Sequence, residues 1–419
     1  MGSKGSASDF QNPSAVGGVL LLVMVALAML LANSPLSHWY HAFLGTPVSV
    51  QVGEFKLHKP MLLWINDLLM AFFFSLVGLE VKRALLQGTL SKGRRAVLPV
   101  IAAIGGMVVP ALVFLAFNAH NPLAATGWAI PSVTDIAFAL GVLTLLGSRV
   151  PLQLRVFLLA LAIIDDLLAI VIIALFYSEP LSAVNLALAL FAFLSLLALN
   201  RCGVMKLVPY MLLGMVLWVA VLNSGVHATL AGVVLAFTIP LGTDSHGVSP
   251  SQFLERELHN WSTYLILPIF AFANGGVDFT HLSLSQVFSP LTLGIALGLC
   301  LGKPVGVLSF CAVAVRLGLA TLPKGVGWLP LTGVAMLCGI GFTMAMFFAS
   351  LAFEVGALNY SEISRIGILL GSAISAVGGY LLLRWAYRPS AKTRPATKRA
   401  QSADCANKGS GRKSGEPGP

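Results

Sequence analysis

The chain has 419 residues, of which 57% are hydrophobic and only 10% charged, and its formal net charge is +10. Soluble domains carry about 25% charged residues, so this composition excludes an ordinary soluble protein with a large buried core. Strand-like alternation is scarce, which argues against an outer-membrane barrel. We therefore predict an all-α polytopic membrane protein.

The positive charge is distributed unevenly and does not indicate a nucleic-acid partner. Of the 26 Lys and Arg residues, nine lie at or beyond Arg384. Residues 387–419 are rich in Ser, Gly, Pro and Lys, which predicts a disordered, basic cytoplasmic tail near an anionic membrane surface. Residues 1–13 are predicted to form a cytoplasmic N-terminus, and residues 14–386 a transmembrane domain. The five cysteines follow no metal-ligand spacing, and no cofactor is predicted.

The first apolar run, Val16 to Ala32, is longer than the core of a typical signal peptide and lacks a strongly basic segment before it. We predict that it is retained as the first membrane helix. The apolar runs together give about twelve spans, with approximate centres at residues 24, 74, 105, 135, 168, 190, 214, 232, 267, 302, 340 and 374. Basic residues concentrate in the loops after even-numbered spans. The positive-inside rule therefore predicts that both termini are cytoplasmic.

One stretch between the first two spans differs from the helical pattern. Residues from Val48 to Pro60 alternate around a glycine. This pattern predicts a small periplasmic β-hairpin, with an irregular loop as the alternative.

Two predicted spans are interrupted near their centres. Pro131 precedes Ser, Val, Thr and Asp in span four, whereas Gly339 and Gly341 lie at the centre of span eleven. Glycine and proline are common in membrane helices, so either interruption alone is weak evidence. A pair of interrupted helices in corresponding positions of two halves indicates the midplane site of a transporter. Their unwound backbone must line a cavity or the protein interior, because lipid cannot satisfy its hydrogen bonds.

Four ionisable residues lie well inside predicted spans: Asp135, Asp165, Asp166 and Lys303. A charge at the centre of a membrane helix costs roughly 2.5–3.5 kcal/mol on insertion scales. A structural ion pair between Lys303 and one aspartate would explain two of the four and leave two carboxylates unexplained. Asp165 and Asp166 are adjacent and occupy different faces of a helix, so one can face a partner helix while the other faces a cavity.

Other charged residues near span ends allow simpler interpretations. Asp67 and Glu80 lie toward opposite ends of span two, where each could reach an interface. For Glu80, a surface ion pair with the nearby Lys82 and Arg83 is the alternative to a functional role.

The available donors are hard oxygen atoms from carboxylates, the Thr134 hydroxyl and freed backbone carbonyls, which suit Na⁺ or Li⁺ as well as protons. Two adjacent carboxylates repel each other, so they need a proton, a cation or a positive side chain. A cation and a proton would compete for one site, and this competition is sufficient for exchange if the site opens alternately to the two sides. Lys303 could contribute by releasing a proton when an aspartate leaves its ion pair to bind the metal ion.

Several motifs resemble the bacterial NhaA-type sodium/proton antiporters, in the order found in that family, over nearly the whole chain apart from the tail. These are WINDLLMAFFFSLVGLEVKR, TDIAFALGVL, LAIIDDLLAIVIIALFY, NSGVHATLAGVVLA, LILPIFAFANGGV, LGKPVG and GIGFTMAMFFASLAF. The resemblance implies a transporter of the bacterial inner membrane and not an enzyme. It implies twelve spans in two inverted repeats, with the interrupted spans four and eleven crossing at the midplane.

The resemblance also implies roles for individual residues. Asp165 and Asp166 would bind the transported cation and protons, and Lys303 would pair with Asp165. Thr134 and Asp135 would lie at the crossing, where Asp135 offsets the positive ends of facing half-helices. The family exchanges internal Na⁺ or Li⁺ for a larger number of external protons, so transport would be electrogenic and activated at alkaline pH. The hairpin would contribute to a homodimer within the lipid membrane.

The residues implied in the pH response are Glu80, Arg83, His227, Glu255 and His259. The chain departs from the family pattern nearby: Ala84 follows LEVKR where an acidic residue is common, and Arg256 stands where a histidine is often found. These two differences predict a shifted or broadened activation profile. For His227, packing at a helix end is an equal alternative.

Two further functions are considered for a membrane protein with buried aspartates. An intramembrane aspartyl protease needs two carboxylates that face each other from separate helices in a GxGD-like setting, which the adjacent Asp165 and Asp166 do not provide. A sodium-coupled symporter would take up an organic solute with Na⁺, whereas an antiporter would take up none.

Overall fold

A computed structural model describes residues 13–52, 55–88, 93–177, 180–243, 247–279, 283–323, 325–353 and 358–388. The predicted N-terminal segment up to residue 12 and the predicted tail from residue 389 onward lie outside the described residues.

Most of the described chain is helical. The helices are α1 (Pro13–Ala32), α2 (Ser37–Gly45), α3 (Met61–Leu86), α4 (Gly93–Asn118), α5 (Pro122–Ser132), α6 (Ile136–Leu145), α7 (Leu152–Phe176), α8 (Ala183–Arg201), α9 (Leu207–Leu222), α10 (Thr229–Thr238), α11 (Pro250–Trp261 continuing through Ser262–Ile266 to Leu267–Gly275), α12 (Pro290–Arg316), α13 (Trp328–Cys338), α14 (Phe342–Ala352) and α15 (Leu358–Ala386). Single helical turns occur at Gly147–Arg149 and Leu284–Val287.

The predicted hairpin is present. Strands β1 (Pro47–Val52) and β2 (Phe55–Pro60) pair antiparallel, with Pro47 opposite Pro60 and Ser49 opposite His58. Strand β2 ends directly before α3, so the hairpin is joined to the helix that carries Asp67 and Glu80.

The helices confirm a polytopic α-helical membrane protein. Six helices in the described chain are long and apolar enough to cross a membrane, namely α3, α4, α7, α8, α12 and α15. Three bent pairs also pass this test together, which allows up to nine spans by length and composition. The pair α1 and α2 bends by 110°, whereas α5 with α6 and α13 with α14 each bend by 43°. Helices α9 and α10 are also apolar but are shorter than the helices in this count.

Close packing of small residues positions the centre of the bundle. A Cβ atom added to Gly105 of α4 would lie 2.4 Å from the carbonyl oxygen of Gly306 in α12, so these backbones are in direct contact. The neighbouring Gly106 leaves room for the aliphatic chain of Lys303, whose Cε would lie 3.5 Å from an added Cβ. Helix α7, which carries Asp165 and Asp166, packs against α3, α4, α6 and α13.

Among the described residues, three helices contain a π-helical turn: Ile65–Leu69 in α3, Ser262–Ile266 in α11 and Gly298–Gly302 in α12. Two of these turns are followed closely by a proline, Pro268 and Pro304, which lacks the N–H of a regular helix. The widened turn therefore accommodates a missing hydrogen bond. In α12 it immediately precedes Lys303, and in α3 it contains Asp67.

Candidate ion-binding site

The two interrupted helices meet at the centre of the molecule. In one, α5 ends at Ser132 and α6 begins at Ile136, and in the other α13 ends at Cys338 and α14 begins at Phe342. The backbone N–H of Asp135 donates to the carbonyl of Ile340 at 2.7 Å and joins the two unwound segments. This contact brings four helix ends together in a buried region. Each end exposes backbone groups that lack an intrahelical partner.

Asp135 lies at the amino-terminal ends of both half-helices. One carboxylate oxygen accepts from the N–H of Phe138 in α6 at 3.0 Å. The other accepts from the N–H of Thr343 in α14 at 3.1 Å, and also from the Thr343 hydroxyl. A negative charge is favourable at a helix amino terminus, and here one carboxylate serves two of them.

The carboxyl-terminal ends receive donors from Lys303 and Thr134. The Lys303 ammonium donates to the carbonyl of Ser132, the last residue of α5. The Thr134 hydroxyl is 2.9 Å from the carbonyl of Cys338, the last residue of α13. All four ends of the crossing therefore have a polar or charged side chain beside them.

The adjacent aspartates of α7 have different surroundings, although both are at most 2% exposed. Asp165 Oδ2 is 2.7 Å from Lys303 Nζ and 2.7 Å from the Thr134 hydroxyl. Its other oxygen, Oδ1, is buried with no hydrogen-bond partner among the described residues. Asp166 lines a cavity together with Thr134 and Asp135. The carboxylate of Asp165 is thus bound by Lys303 and Thr134, whereas that of Asp166 faces the cavity.

That first cavity, of about 90 Å³, extends to Glu80 of α3 and His259 of α11. Glu80 Oε1 lies 3.8 Å from His259 Nδ1, and Arg83 pairs with Glu255 at 2.8 Å. The alternative of a local pair between Glu80 and the basic residues that follow it is therefore wrong for the described geometry. The partners of Glu80 and Arg83 come from a different helix, α11.

A second cavity, of about 650 Å³, lies at the opposite end of α14. It is lined by Lys59, Asp67 and His227, among others, and Lys59 Nζ is 2.7 Å from Asp67 Oδ2. Asp67 is 6% exposed and is paired with a lysine of the hairpin, and its position at a membrane interface stays a prediction. His227 Nδ1 is buried without a hydrogen-bond partner in the described part of the chain.

Helix α14 runs from one cavity to the other. Thr343 and Met344 line the first cavity, and Leu351 and Ala352 line the second. Between these positions, Phe347 and Phe348 are at most 1% exposed. The Phe347 ring packs on Phe74, Phe270, Phe348 and His227, with centroids 5.5 to 6.4 Å apart. Along α14, this aromatic layer lies between the residues that line the two cavities.

Two residues of the crossing were not predicted as site residues. Thr343 supplies two donors to Asp135, and the Ser372 hydroxyl of α15 accepts from the N–H groups of Gly341 and Phe342, each at 3.2 Å. Thr343 directly follows the GIGF segment, and a hydroxyl residue at the start of a predicted half-helix is the signal that could have identified it. Nothing in the sequence around Ser372 marks it.

Gly339 is required by close approach and not by a special backbone angle. An added Cβ would lie 2.3 Å from the carbonyl oxygen of Leu299 and 2.6 Å from the Ser375 hydroxyl. We expect Gly339→Ala to lower the free energy of unfolding by about 1–3 kcal/mol, because backbone atoms must move. Thermal unfolding in detergent would measure this. Gly45→Ala is the matched control, since its added Cβ meets no atom within 4 Å, and equal Tm losses in the two variants would contradict the prediction.

Comparison with known proteins agrees with the geometry. Residues 8–383 match the family model described as Na+/H+ antiporter 1. The chain is 61% identical over 375 residues to the Na(+)/H(+) antiporter NhaA of Shewanella sp. (strain MR-7), an alignment that covers 90% of this chain and 96% of that protein. It is 60% identical, with the same coverage, to the proteins of the same name from Shewanella oneidensis and Shewanella amazonensis. The resemblance found in the motifs is thereby confirmed, and the chain belongs to the Na+/H+ antiporter 1 family.

Proposed function

We propose that the chain is an electrogenic, pH-regulated antiporter that extrudes Na⁺ or Li⁺ in exchange for external protons. Asp165 and Asp166 bind the cation and the protons, with Thr134 and Asp135 beside them and Lys303 coupled to Asp165. Membership of an antiporter family supports the exchange of Na⁺ and H⁺. The position of the site in this chain is supported by the different surroundings of the two aspartates.

The observation that carries the proposal is the unpaired carboxylate of Asp166. It is 2% exposed, faces the first cavity, and receives no hydrogen bond from any side chain or backbone group among the described residues. A buried carboxylate without a partner is costly unless it binds a proton or a cation. The free Oδ1 of Asp165 is a second oxygen of the same kind.

Exchange follows from competition for these oxygens. A cation that binds Asp165 and Asp166 displaces the protons that these carboxylates hold. When Asp165 leaves its ion pair with Lys303 to bind the cation, Lys303 loses its own proton more readily. More than one proton is then available for each Na⁺, which makes transport electrogenic. The cation is the transported substrate, and no resident cofactor is part of this scheme.

Alternating access is supported by the two cavities on either side of the aromatic layer. In the described conformation Asp166 faces the first cavity, which reaches solvent beside the exposed His259. We propose that the first cavity opens to the cytoplasm and that both termini lie on the same side of the membrane. We also propose that the bent pairs α5/α6 and α13/α14 are spans four and eleven of twelve. We also propose that the β-hairpin is periplasmic and contributes to a homodimer in the inner membrane.

The test uses inverted membrane vesicles from cells without other sodium/proton antiporters. Respiration acidifies the vesicle interior, and a fluorescent probe reports the pH gradient. Addition of NaCl or LiCl is expected to collapse the gradient in vesicles that contain this protein and not in empty ones. Proton release only in the presence of an organic solute would indicate a symporter and overturn the proposal.

The pH response is proposed to arise where α3 and α11 meet, through Glu80, Arg83, Glu255 and His259, with His227 at the second cavity. The polar segment Pro250–Trp261 lies outside the apolar spans. There the Glu80 carboxylate raises the pKa of His259 above its ordinary value, against the effect of burial. Below that raised pKa the imidazolium pairs with Glu80, and above it the ring is neutral. Rising pH therefore frees the Glu80 carboxylate to attract a cation into the cavity.

We expect His259→Gln to move the alkaline-activated part of the rate profile toward lower pH, by up to about one pH unit, the usual spread of histidine pKa values in proteins. The variant lacks the positive charge at every pH, so Glu80 is free before the parent would release it. Exchange rates measured across the pH range in vesicles give the half-activation point. His38→Gln, on the distant α2, is the control, and a His259→Gln profile that coincides with the parent's would refute this role.

A further inference from the structure

A third cavity lies away from the ion site, at the carboxyl-terminal end of α15. It encloses about 370 Å³ and is lined by Arg149, Leu381, Arg384, Trp385 and Arg388. Leu381, Arg384 and Trp385 belong to α15 and Arg388 follows its end. Leu381 and Arg388 each lie three or four positions from both Arg384 and Trp385, so these side chains share one face. The N–H of Arg388 bonds to the Trp385 carbonyl, which continues the helical path past Ala386. Arg149 comes from the turn after α6, a helix that packs against α15.

The three arginines form a positive pocket with no acidic partner in the described part of the chain. Each is exposed, and none forms an ion pair with an Asp or Glu among the described residues. By contrast, Arg83 and Arg256 each lie within 4.0 Å of a carboxylate. Three like charges around one cavity repel each other, and an anion with several oxygens relieves that repulsion. The planar guanidinium group matches phosphate oxygens in a bidentate geometry.

The pocket lies where a membrane span meets water. The apolar span of α15 runs from Tyr360 to Ala386, so Arg384 is in its last turn and Arg388 is just beyond it. Trp385 is 56% exposed and Leu381, one turn deeper, is 54% exposed. Tryptophan is enriched at the membrane interface, and an exposed leucine below it provides an apolar surface for an acyl chain. Basic pockets between membrane helices bind anionic lipid headgroups.

We propose that Arg149, Arg384 and Arg388 bind the phosphate headgroup of an anionic phospholipid, with its acyl chains packed against Leu381 and Trp385. A lipid bound here would contact both the end of α6, which is half of an interrupted span, and the end of α15. The site is separate from the aspartates and does not depend on the direction or stoichiometry of ion exchange.

The experiment uses the purified full chain in detergent with phosphatidylglycerol, phosphatidylcholine or inorganic phosphate as probes. Affinity is measured by quenching of a lipid-attached fluorophore. The triple variant Arg149→Gln/Arg384→Gln/Arg388→Gln is expected to bind phosphatidylglycerol about 10- to 100-fold more weakly than the parent. The control Arg201→Gln/Lys206→Gln/Arg316→Gln removes the same charge from other exposed positions and is expected to retain the parent's affinity. Trp385→Ala, which keeps all three arginines, is expected to weaken binding several-fold.

Three outcomes would overturn the proposal. One is equal loss of affinity in the site variant and the control variant, which would reflect net charge alone. Another is equal binding of phosphatidylcholine and phosphatidylglycerol by the parent. The third is displacement of the lipid by millimolar inorganic phosphate, which would indicate a site for the free anion. Circular dichroism and Tm in detergent verify that each variant is folded. The triple Arg→Lys variant keeps the charge but changes the hydrogen-bonding geometry, and it is expected to bind with an affinity between those of the parent and the triple Arg→Gln variant.

Discussion

An Asp166→Asn variant is expected to lose sodium-dependent collapse of the pH gradient, with a residual rate at or below about 1% of the parent's, the scale of loss when the groups that hold a metal ion are disturbed. Asn has nearly the shape of Asp, but it carries no charge and cannot exchange a proton for a cation. Asp166 faces the first cavity and accepts no hydrogen bond from the described residues, so folding does not depend on its carboxylate. The loss of exchange would therefore reflect the changed chemistry of the side chain and not a changed structure. The inverted-vesicle assay measures the rate, and the same preparations give the Tm.

The stability measurement distinguishes this explanation from misfolding. Replacing a buried, unpaired carboxylate with a neutral amide removes the cost of a buried charge, so the Tm of Asp166→Asn is expected to equal or exceed that of the parent. Glu257→Gln, at a half-exposed position of α11, is the matched control and should exchange normally. Exchange by Asp166→Asn at the rate of the parent would exclude the proposed site.

The sequence marks the residues that the fold brings together at the crossing, because these residues violate the membrane pattern. Asp165 and Asp166 interrupt an apolar run, and Pro131 and Gly339 interrupt two helices, so each is visible in one dimension. The helical phase showed that the aspartates face different ways but not which one faces a cavity. That distinction depends on where Lys303 reaches, which is set by the close contact between α4 and α12.

Other parts of the site have no local signal. Glu80 stands two residues before Lys82, and proximity in sequence favoured a pair between neighbours. In the folded chain, Lys82 instead donates to the carbonyl of Phe237 at 2.8 Å, and the partner of Glu80 is His259, from a helix far along the sequence.

Tertiary packing also decides the surroundings of Asp67. The partner of Asp67, Lys59, lies on the hairpin, and the way the hairpin folds against α3 is not visible in the local sequence pattern. The count of twelve spans stays a prediction, because length and composition alone leave the short helices α9 and α10 undecided.

Lys303→Ala is expected to destabilise the protein by about 3–5 kcal/mol, because it leaves Asp165 as a buried charge without its counter-ion. Lys303 is fully buried, its ammonium is 2.7 Å from Asp165, and its second partner is the carbonyl at the end of α5. At about 2 °C per kcal/mol for a large chain, the Tm should fall by about 6–10 °C. Thermal unfolding of the purified protein, followed in detergent at neutral pH, measures the change.

The double variant Asp165→Asn/Lys303→Gln tests whether the loss arises from an unpaired charge or from lost packing. Both charges are absent, and the glutamine amide that replaces the ammonium retains a donor for the carbonyl at the end of α5. We expect it to be more stable than the sum of the single variants Asp165→Asn and Lys303→Gln predicts, by about 1–3 kcal/mol, since contacting residues couple by this amount. Additive losses would mean that Lys303 stabilises the crossing only through its aliphatic chain. Restored stability without restored sodium exchange would separate the two functions of the pair: it neutralises charge at the crossing, and Asp165 also takes part in the exchange of Na⁺ for protons.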